Sequence, residues 1–304
     1  MGNFTVSEIS EMENEREKSR DGKLSFSQKA ERSISTKFRG RLWSPFVSAI
    51  KRYRLICPGD RIAVCISGGK DSMLLATLMR MLHRYTEIPF DVEYLVMDPG
   101  YNEINLLKIK KNAELLEIPI TIFKTDIFDV ANKIEHSPCY ICARMRRGHL
   151  YHKAKEMGCN KIALGHHFSD VIETTVMSMF YASQLQAMLP KLRSQNFEGM
   201  SLVRPLYLIH EEDVVAWAKA NDLDFIRCAC RFTENTSNGI GESKRREVKD
   251  LIRRLKKDNP NIEKSIFNSI HAVCIETFPG YRMDGVRHSF LERFDETERP
   301  IFDK

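Results

Sequence analysis

Six consecutive residues, Ser67-Gly68-Gly69-Lys70-Asp71-Ser72, hold side chains and backbone suited to a chain of phosphates. Adjacent glycines adopt backbone angles closed to other residues, turning successive N–H groups toward one point. Ser67 and Ser72 add hydroxyls and Lys70 adds a full charge, enough to hold a pyrophosphate. The run is not a Walker A loop, since Asp71 rather than Ser or Thr follows Lys70, and it is not GxGxxG. Its bland alternative is a tight glycine turn with a serine cap.

A second chemical group is thiol. Cys139 and Cys142 have CxxC spacing, and Arg144–Lys155 behind them holds five Lys or Arg and two His but no acid. A helix starting near Cys142 would lower both thiol pKa values through its dipole and charge, favouring metal-binding thiolates. Alone, the pair fits a redox dithiol, half a zinc site or half an iron–sulfur site. Cys228 and Cys230 could close it: four cysteines make a structural zinc site, whereas three leave one iron of a [4Fe-4S] cluster open. Cys57, Cys65, Cys159 and Cys274 read as packing, Cys65 most clearly because it lies inside the apolar run Ile62–Ile66.

Three more places carry polar groups worth following. Asp98 ends a strand ahead of Pro99-Gly100, where a carboxylate binds a ribose or metal, or simply forms the turn. In Gly165-His166-His167-Phe168-Ser169-Asp170, His166 and Asp170 are candidates for phosphate or Mg²⁺. Residues 244–257 carry eight bases and two acids, with Val248, Leu251, Ile252 and Leu255 as a buried stripe. A single such stretch is a solvated helix face. Beside the Arg144–Lys155 bases it suits RNA, which needs distributed phosphate neutralisation.

These groups need a frame, and the chain supplies alternating elements. Apolar runs read as strands at Arg61–Ser67, Phe90–Met97, Pro119–Thr125, Lys161–Gly165 and Asp224–Arg227; helical spacing falls on Asp71–Tyr85, Asn102–Leu116, Ser169–Tyr181 and Glu211–Asn221. The order predicts an α/β fold, a doubly wound parallel sheet of about five strands, with ligands beyond the strands' carboxyl ends. A helix is expected from Phe38 to Ile56, ended by Pro58-Gly59-Asp60. Residues 1–37 read as a poorly ordered charged leader, 38–60 as an N-terminal helix, 61–230 as the ligand-binding domain and 231–304 as a helical tail region. With 304 residues, 42% hydrophobic and 29% charged, and a net charge of +6, the chain is neither collagenous nor disordered. No run reaches the roughly 18 apolar residues of a spanning helix, so a cytoplasmic protein without membrane partners is expected.

The six-residue loop resembles the PP-loop of the ATP pyrophosphatases, which split ATP between the alpha and beta phosphates. Cys139-Tyr140-Ile141-Cys142-Ala143-Arg144-Met145-Arg146-Arg147-Gly148, Ile162–His167, Met179-Phe180-Tyr181 and Arg204-Pro205-Leu206 follow in the order seen in bacterial tRNA 2-thiocytidine synthetases. The resemblance covers about residues 38–280. It implies an adenine nucleotide alpha-hydrolase-like sheet, with ATP and Mg²⁺ bound at Ser67–Ser72, and a [4Fe-4S] cluster held by Cys139, Cys142 and one downstream cysteine. Cys228 takes that downstream place, following Phe225-Ile226-Arg227, and the CxC spacing keeps Cys230 in play. Lys70, Asp71 and the three cysteines are the implied catalytic set; Asp98, Gly165, His166 and Asp170 extend the nucleotide site. The resemblance further implies tRNA as acceptor and a sulfur donor such as a cysteine desulfurase, and leaves room for a homodimer. Persulfide chemistry on another acceptor, and a zinc-stapled nucleotide-binding module, are the competing readings. The family generally has two adjacent acids where this chain has Ser169-Asp170.

Overall fold

The computed structural model describes residues 24–127, 138–226 and 240–294. Two compact units divide between Asp250 and Leu251.

In the first unit the sheet order is β3-β2-β1-β4-β6-β5, with β1 Arg61–Ile66, β2 Asp91–Asp98, β3 Ile120–Lys124, β4 Lys161–Ala163, β5 Lys191–Arg193 and β6 Ser201–Val203. The pairs β1/β2, β2/β3, β1/β4 and β4/β6 are parallel, and β5 pairs antiparallel with β6. β1 has neighbours on both edges and is buried from Ile62 to Ile66, which explains its unbroken apolar run. From β1 the chain moves outward through β2 and β3, then returns to the opposite side of β1 for β4. That reversal opens a crevice beyond the carboxyl ends of β1 and β4.

The fifth parallel strand is Ser201–Val203, not the expected Asp224–Arg227. Phe225 and Ile226 are apolar for another reason: both are buried, and Phe225 stacks on the core residue Trp217 with ring centroids 6.5 Å apart. Residues 224–226 have no ladder pairing, and Arg227 lies outside the described residues. The expected strands gave no hint of β5 and β6 because each spans three residues, too few to show a period.

Part of the supposed leader is structured. Helix α1, Phe26–Ser35, starts with a capping box in which the Gln28 N–H donates to Ser25 Oγ and the Ser25 N–H donates to Gln28 Oε1. It buries Ala30 and Ile34, while Glu31 accepts from Arg80 at 2.7 Å and Arg84 at 2.9 Å. One alanine, one isoleucine and a buried, paired acid leave little sequence signal. Residues 1–23 lie outside the description.

The helix expected over Phe38–Ile56 is a π-helical turn, Arg39–Trp43, leading into α2, Ser44–Tyr53; it closes at Arg54 with φ 48°, before Pro58 is reached. Pro45 sits in the first turn of α2, where a missing N–H costs nothing. Among the described residues, the remaining helices of this unit are α3 Lys70–Tyr85, α4 Glu103–Leu115, α5 Pro138–Glu156, α6 Phe168–Tyr181, α7 Glu211–Ala220 and the first part of α8, Ile240–Asp258. Leu74, Leu75, Leu78, Val96, Ile109 and Trp217 have no exposed surface and belong to the larger core.

The second unit begins within α8 and continues through α9, Ile262–His271, to the antiparallel hairpin of β7 Gly280–Met283 and β8 Val286–Ser289. Leu255 of the expected buried stripe is 42% exposed. Among the described residues no helix is long and apolar enough to cross a membrane.

Candidate active site

The loop after β1 is shaped by its glycines. Gly68 has φ +85°, and a Cβ there would come within 2.5 Å of Ile109 and 2.7 Å of Ile226, so both conformation and space demand glycine. Gly69 then caps α3 with no side-chain hydrogen bond, leaving the first-turn N–H groups of the helix without a side-chain cap. The serine hydroxyls staple the loop: the Ser67 N–H donates to Ser72 Oγ at 3.2 Å, and the Ser72 hydroxyl donates to the Gly69 carbonyl at 2.9 Å.

The loop after β4 meets this helix end closely. A Cβ on Gly165 would lie 3.1 Å from Asp71 C and Ser72 N, so the approach of the two loops depends on this glycine's missing side chain. Between them opens a cavity of about 430 Å³ lined by Ser67, Asp71, Ser72, Arg146, Arg147 and His166, with Met97 and Leu164 as apolar wall. His166 Nδ1 and Asp71 Oδ1 are both buried there without hydrogen-bond partners. Burial, reinforced by the nearby Arg204 charge, pushes the His166 pKa down to about 4, so the ring is neutral near pH 7. Two buried polar atoms without hydrogen-bond partners, on residues that line this cavity, mark a region where a polar ligand would be satisfied.

Lys70 occupies the opposite flank. Its Nζ lies 3.1 Å from Asp71 Oδ2 and 3.2 Å from Glu211 Oε1, in a neighbouring cleft of about 320 Å³ with His167, Arg245 and Lys249. Burial works against the charged ammonium, but the two carboxylates outweigh it and raise the Lys70 pKa. Glu211 is likewise buried against its charge, yet the hydrogen bond from Lys249 and the Lys70 charge hold its pKa down to about 2.

Asp170, expected to meet phosphate or Mg²⁺, lines the same cavity and also caps a helix. Its carboxylate accepts the His167 N–H at 3.0 Å as part of a capping box and lies 3.4 Å from Arg245. His167, the second member of the His166-His167 pair, accepts the Asp170 N–H at Nδ1 and points Nε2 toward Asp71 Oδ1, 3.6 Å away, too long for a hydrogen bond. Asp98 Oδ1 accepts the N–H groups of Gly100 at 3.0 Å and Tyr101 at 2.8 Å, forming the turn after β2. Glu211 was missed, because nothing local signals a partner 141 residues away. Arg245 and Lys249 were read within residues 244–257 as bases suited to RNA, and the structure engages them with Asp170, Glu173 and Glu211.

Helix α5 begins at Pro138, ahead of Cys139 rather than near Cys142, so positions 139 and 142 fall in its first turns, three residues apart. Cys228 and Cys230 lie outside the described residues. Of the other cysteines, Cys65 and Cys159 are buried as expected, their thiols pushed up to about 12 and about 11 by burial. Cys57 and Cys274 are exposed, not packed.

A family model described as a PP-loop domain matches residues 44–238, the span holding the loop, the crevice and the four cysteines 139, 142, 228 and 230. Curated tRNA-cytidine(32) 2-sulfurtransferases align along most of the chain. The one from Citrifermentans bemidjiense is 32% identical over 229 residues, covering 74% of this chain and 87% of its own length. That from Geotalea daltonii is 35% identical, with coverages of 73% and 87%. The chain belongs to the tRNA 2-thiocytidine synthetase family of PP-loop proteins. The Neisseria meningitidis relative of this 2-thiocytidine synthetase family member is 34% identical across 79% of the chain and 74% of its own length. In fold, the family member resembles the U34-tRNA thiolase NcsA from Methanococcus maripaludis, solved with its [4Fe-4S] cluster, at a TM-score of 0.61, 19% identity, and coverage of 85% of this chain and 90% of that one.

Proposed function

We propose that this protein is an ATP-dependent tRNA sulfurtransferase that converts an anticodon-loop cytidine to 2-thiocytidine. One observation carries the reading most directly: a glycine-shaped, side-chain-uncapped helix start with Lys70 beside it adjoins a cavity lined by His166 and Asp71, each with a buried unsatisfied polar atom. The uncapped N–H groups of α3 and the Lys70 ammonium hold the beta and gamma phosphates. The cytidine C2 oxygen attacks the alpha phosphorus, the bond to the bridging oxygen breaks, and pyrophosphate leaves from the cradle. This turns a poor leaving oxygen into part of AMP. Asp71, whose Oδ1 is unsatisfied, is the carboxylate suited to Mg²⁺, which neutralises phosphate charge when bound. Neutral His166 offers a ring nitrogen to the nucleotide.

The donor set fits an iron–sulfur cluster in its chemistry: residues 139 and 142 stand three apart on α5, whereas the described thiols of Cys65 and Cys159 are held protonated by burial. Cys139, Cys142 and Cys228 would hold it, with Cys230 as the alternative third ligand. When bound, a [4Fe-4S] cluster would supply an open iron through which the sulfur that replaces oxygen at C2 is delivered. A cysteine desulfurase-type system is the proposed donor, tRNA the partner and the cytoplasm the location. The matched curated relatives are named for this transfer at cytidine 32.

Anaerobically purified protein tests the reading. Iron with acid-labile sulfide and absorbance near roughly 400 nm, together with tRNA-dependent release of AMP, is the expected result. A colourless zinc protein would refute it, and a metal-free active protein would replace the cluster with persulfide chemistry. Cys228→Ser is expected to abolish both the absorbance and thiolation while Cys230→Ser keeps most of each; the reverse pattern reassigns the ligand.

A further inference from the structure

Lys70 lies between two carboxylates of different origin. Asp71 is its neighbour along the chain; Glu211 arrives from a separate part of the sequence, 141 residues on, as the first residue of α7. Its Oε1 lies 3.2 Å from Lys70 Nζ, and Oε2 accepts from Lys249 Nζ of α8. The backbone that carries it is pinned as well. The Glu211 N–H donates to Ser169 Oγ at 3.3 Å, the Phe168 N–H donates to the Ile209 carbonyl at 2.9 Å, and the Phe168 ring packs on His210 with centroids 4.2 Å apart. The start of α7 is therefore fastened to the start of α6, which Gly165 in turn brings against α3.

A lysine ammonium rides on a flexible four-carbon stem and loses considerable rotamer freedom when it must meet a phosphate at one place. Asp71 cannot supply the reference point alone, because it is adjacent in sequence and shares the first turn of the same helix. Glu211 can, because its position is set by contacts that do not involve Lys70. Charge sharing points the same way. Two ammoniums and two carboxylates make up this cluster, and Lys249 takes one of the Glu211 oxygens, so Glu211 does not cancel the Lys70 charge outright.

We infer that Glu211 is a positioning residue for phosphate binding, which fixes where the Lys70 ammonium stands while Lys249 holds its other oxygen. The inference rests on the reading of Ser67–Ser72 as the ATP phosphate site. Glu211 itself touches no substrate.

The test uses the full chain and ATP titrations of wild type, Glu211→Gln, Glu211→Asp, Lys249→Gln, Lys70→Ala and the Lys70→Ala/Glu211→Gln double variant, with NMR of the Lys70 side-chain resonances in ATP-free protein. Glu211→Gln is expected to weaken ATP about tenfold, the size of a moderate pair coupling. Glu211→Asp should recover part of that, Lys249→Gln should show a smaller loss, and Glu211→Gln should add almost nothing once Lys70 is alanine. The Lys70 resonances should shift in Glu211→Gln without nucleotide. Unchanged or tighter ATP binding in Glu211→Gln would overturn the role, as would an equal loss in the Lys70→Ala background. Tighter binding would make Glu211 a competitor for Lys70. Wild-type protein that binds no ATP would instead overturn the nucleotide reading, and the role with it, even where the NMR shift preserves the pair.

Discussion

The loop after β1 and the loops after β4 and β6 reach the same crevice but are built differently. The first works through backbone: Gly68 at φ +85°, an α3 start with no side-chain cap and two serines stapling the turn. The others work through side chains: His167 and Asp170 capping each other, and Glu211 joining Lys70 to Lys249. A backbone-built loop has little tolerance where a glycine answers both a conformational and a steric demand, as Gly68 does. A side-chain network spreads its effect over several partners, so single changes in it should be graded.

The sharpest break of that contrast is Gly68→Ala. Left-handed strain of roughly 1–2 kcal/mol and overpacking of roughly 1–3 kcal/mol against Ile109 and Ile226 should act together. Urea denaturation is expected to show a clear loss of stability, and ATP binding should vanish. Wild-type stability and binding would mean that the loop is not held by its backbone.

Lys70→Ala comes next. Its side chain is partly exposed in a loop-proximal first turn, so the fold should persist while tRNA-dependent AMP formation falls by about 10²-fold or more, typical for losing a charge-stabilising donor. Cluster absorbance should be retained. Undiminished turnover would remove Lys70 from the phosphate site.

A smaller effect is expected from the buried ring in the cavity. In the unfolded chain His166 takes a proton near pH 6.5, whereas in the folded protein burial delays protonation to about pH 4. The unfolded state thus binds more protons across that window, and stability falls as pH drops through it. His166→Gln should flatten the stability curve between about pH 6.5 and 4 relative to wild type. Parallel curves would show that the ring titrates normally.

The smallest change should follow replacement of Arg254 and Lys257 by Gln on α8, both exposed. Two fewer phosphate contacts would lower the slope of log affinity for tRNA against log salt by about 1–2. An unchanged slope would make this stretch a solvated face. Arg245 and Lys249 are poor choices for that test, since the structure engages them with Asp170, Glu173 and Glu211.

Much of the frame was legible because its signals are local. The apolar runs of β1 and β2, the helical spacing of α4 and the Gly-Gly-Lys loop all depend on residues close together in the chain. The same holds for the candidates Ser67–Ser72, Gly165 and His166, which the fold does bring to one crevice. Local signals failed where burial rather than pattern decided. Phe225-Ile226 looked like a strand but covers Trp217 and Gly68, and α1 looked like leader because its buried acid finds Arg80 and Arg84 in a distant helix.

The sequence by itself determined the motifs: a PP-loop, a CxxC pair with two further cysteines downstream, and basic stretches, each written in contiguous residues. Tertiary structure decided which charges answer one another. Asp98 makes turn hydrogen bonds and Asp170 a helix cap, His167 was turned toward Asp71, and Glu211 was brought to Lys70 across 141 residues. The physical reason is range. Backbone conformation and periodicity are governed by neighbours in the chain, whereas ion pairing is governed by distance in space, which the order of strands in the sheet creates.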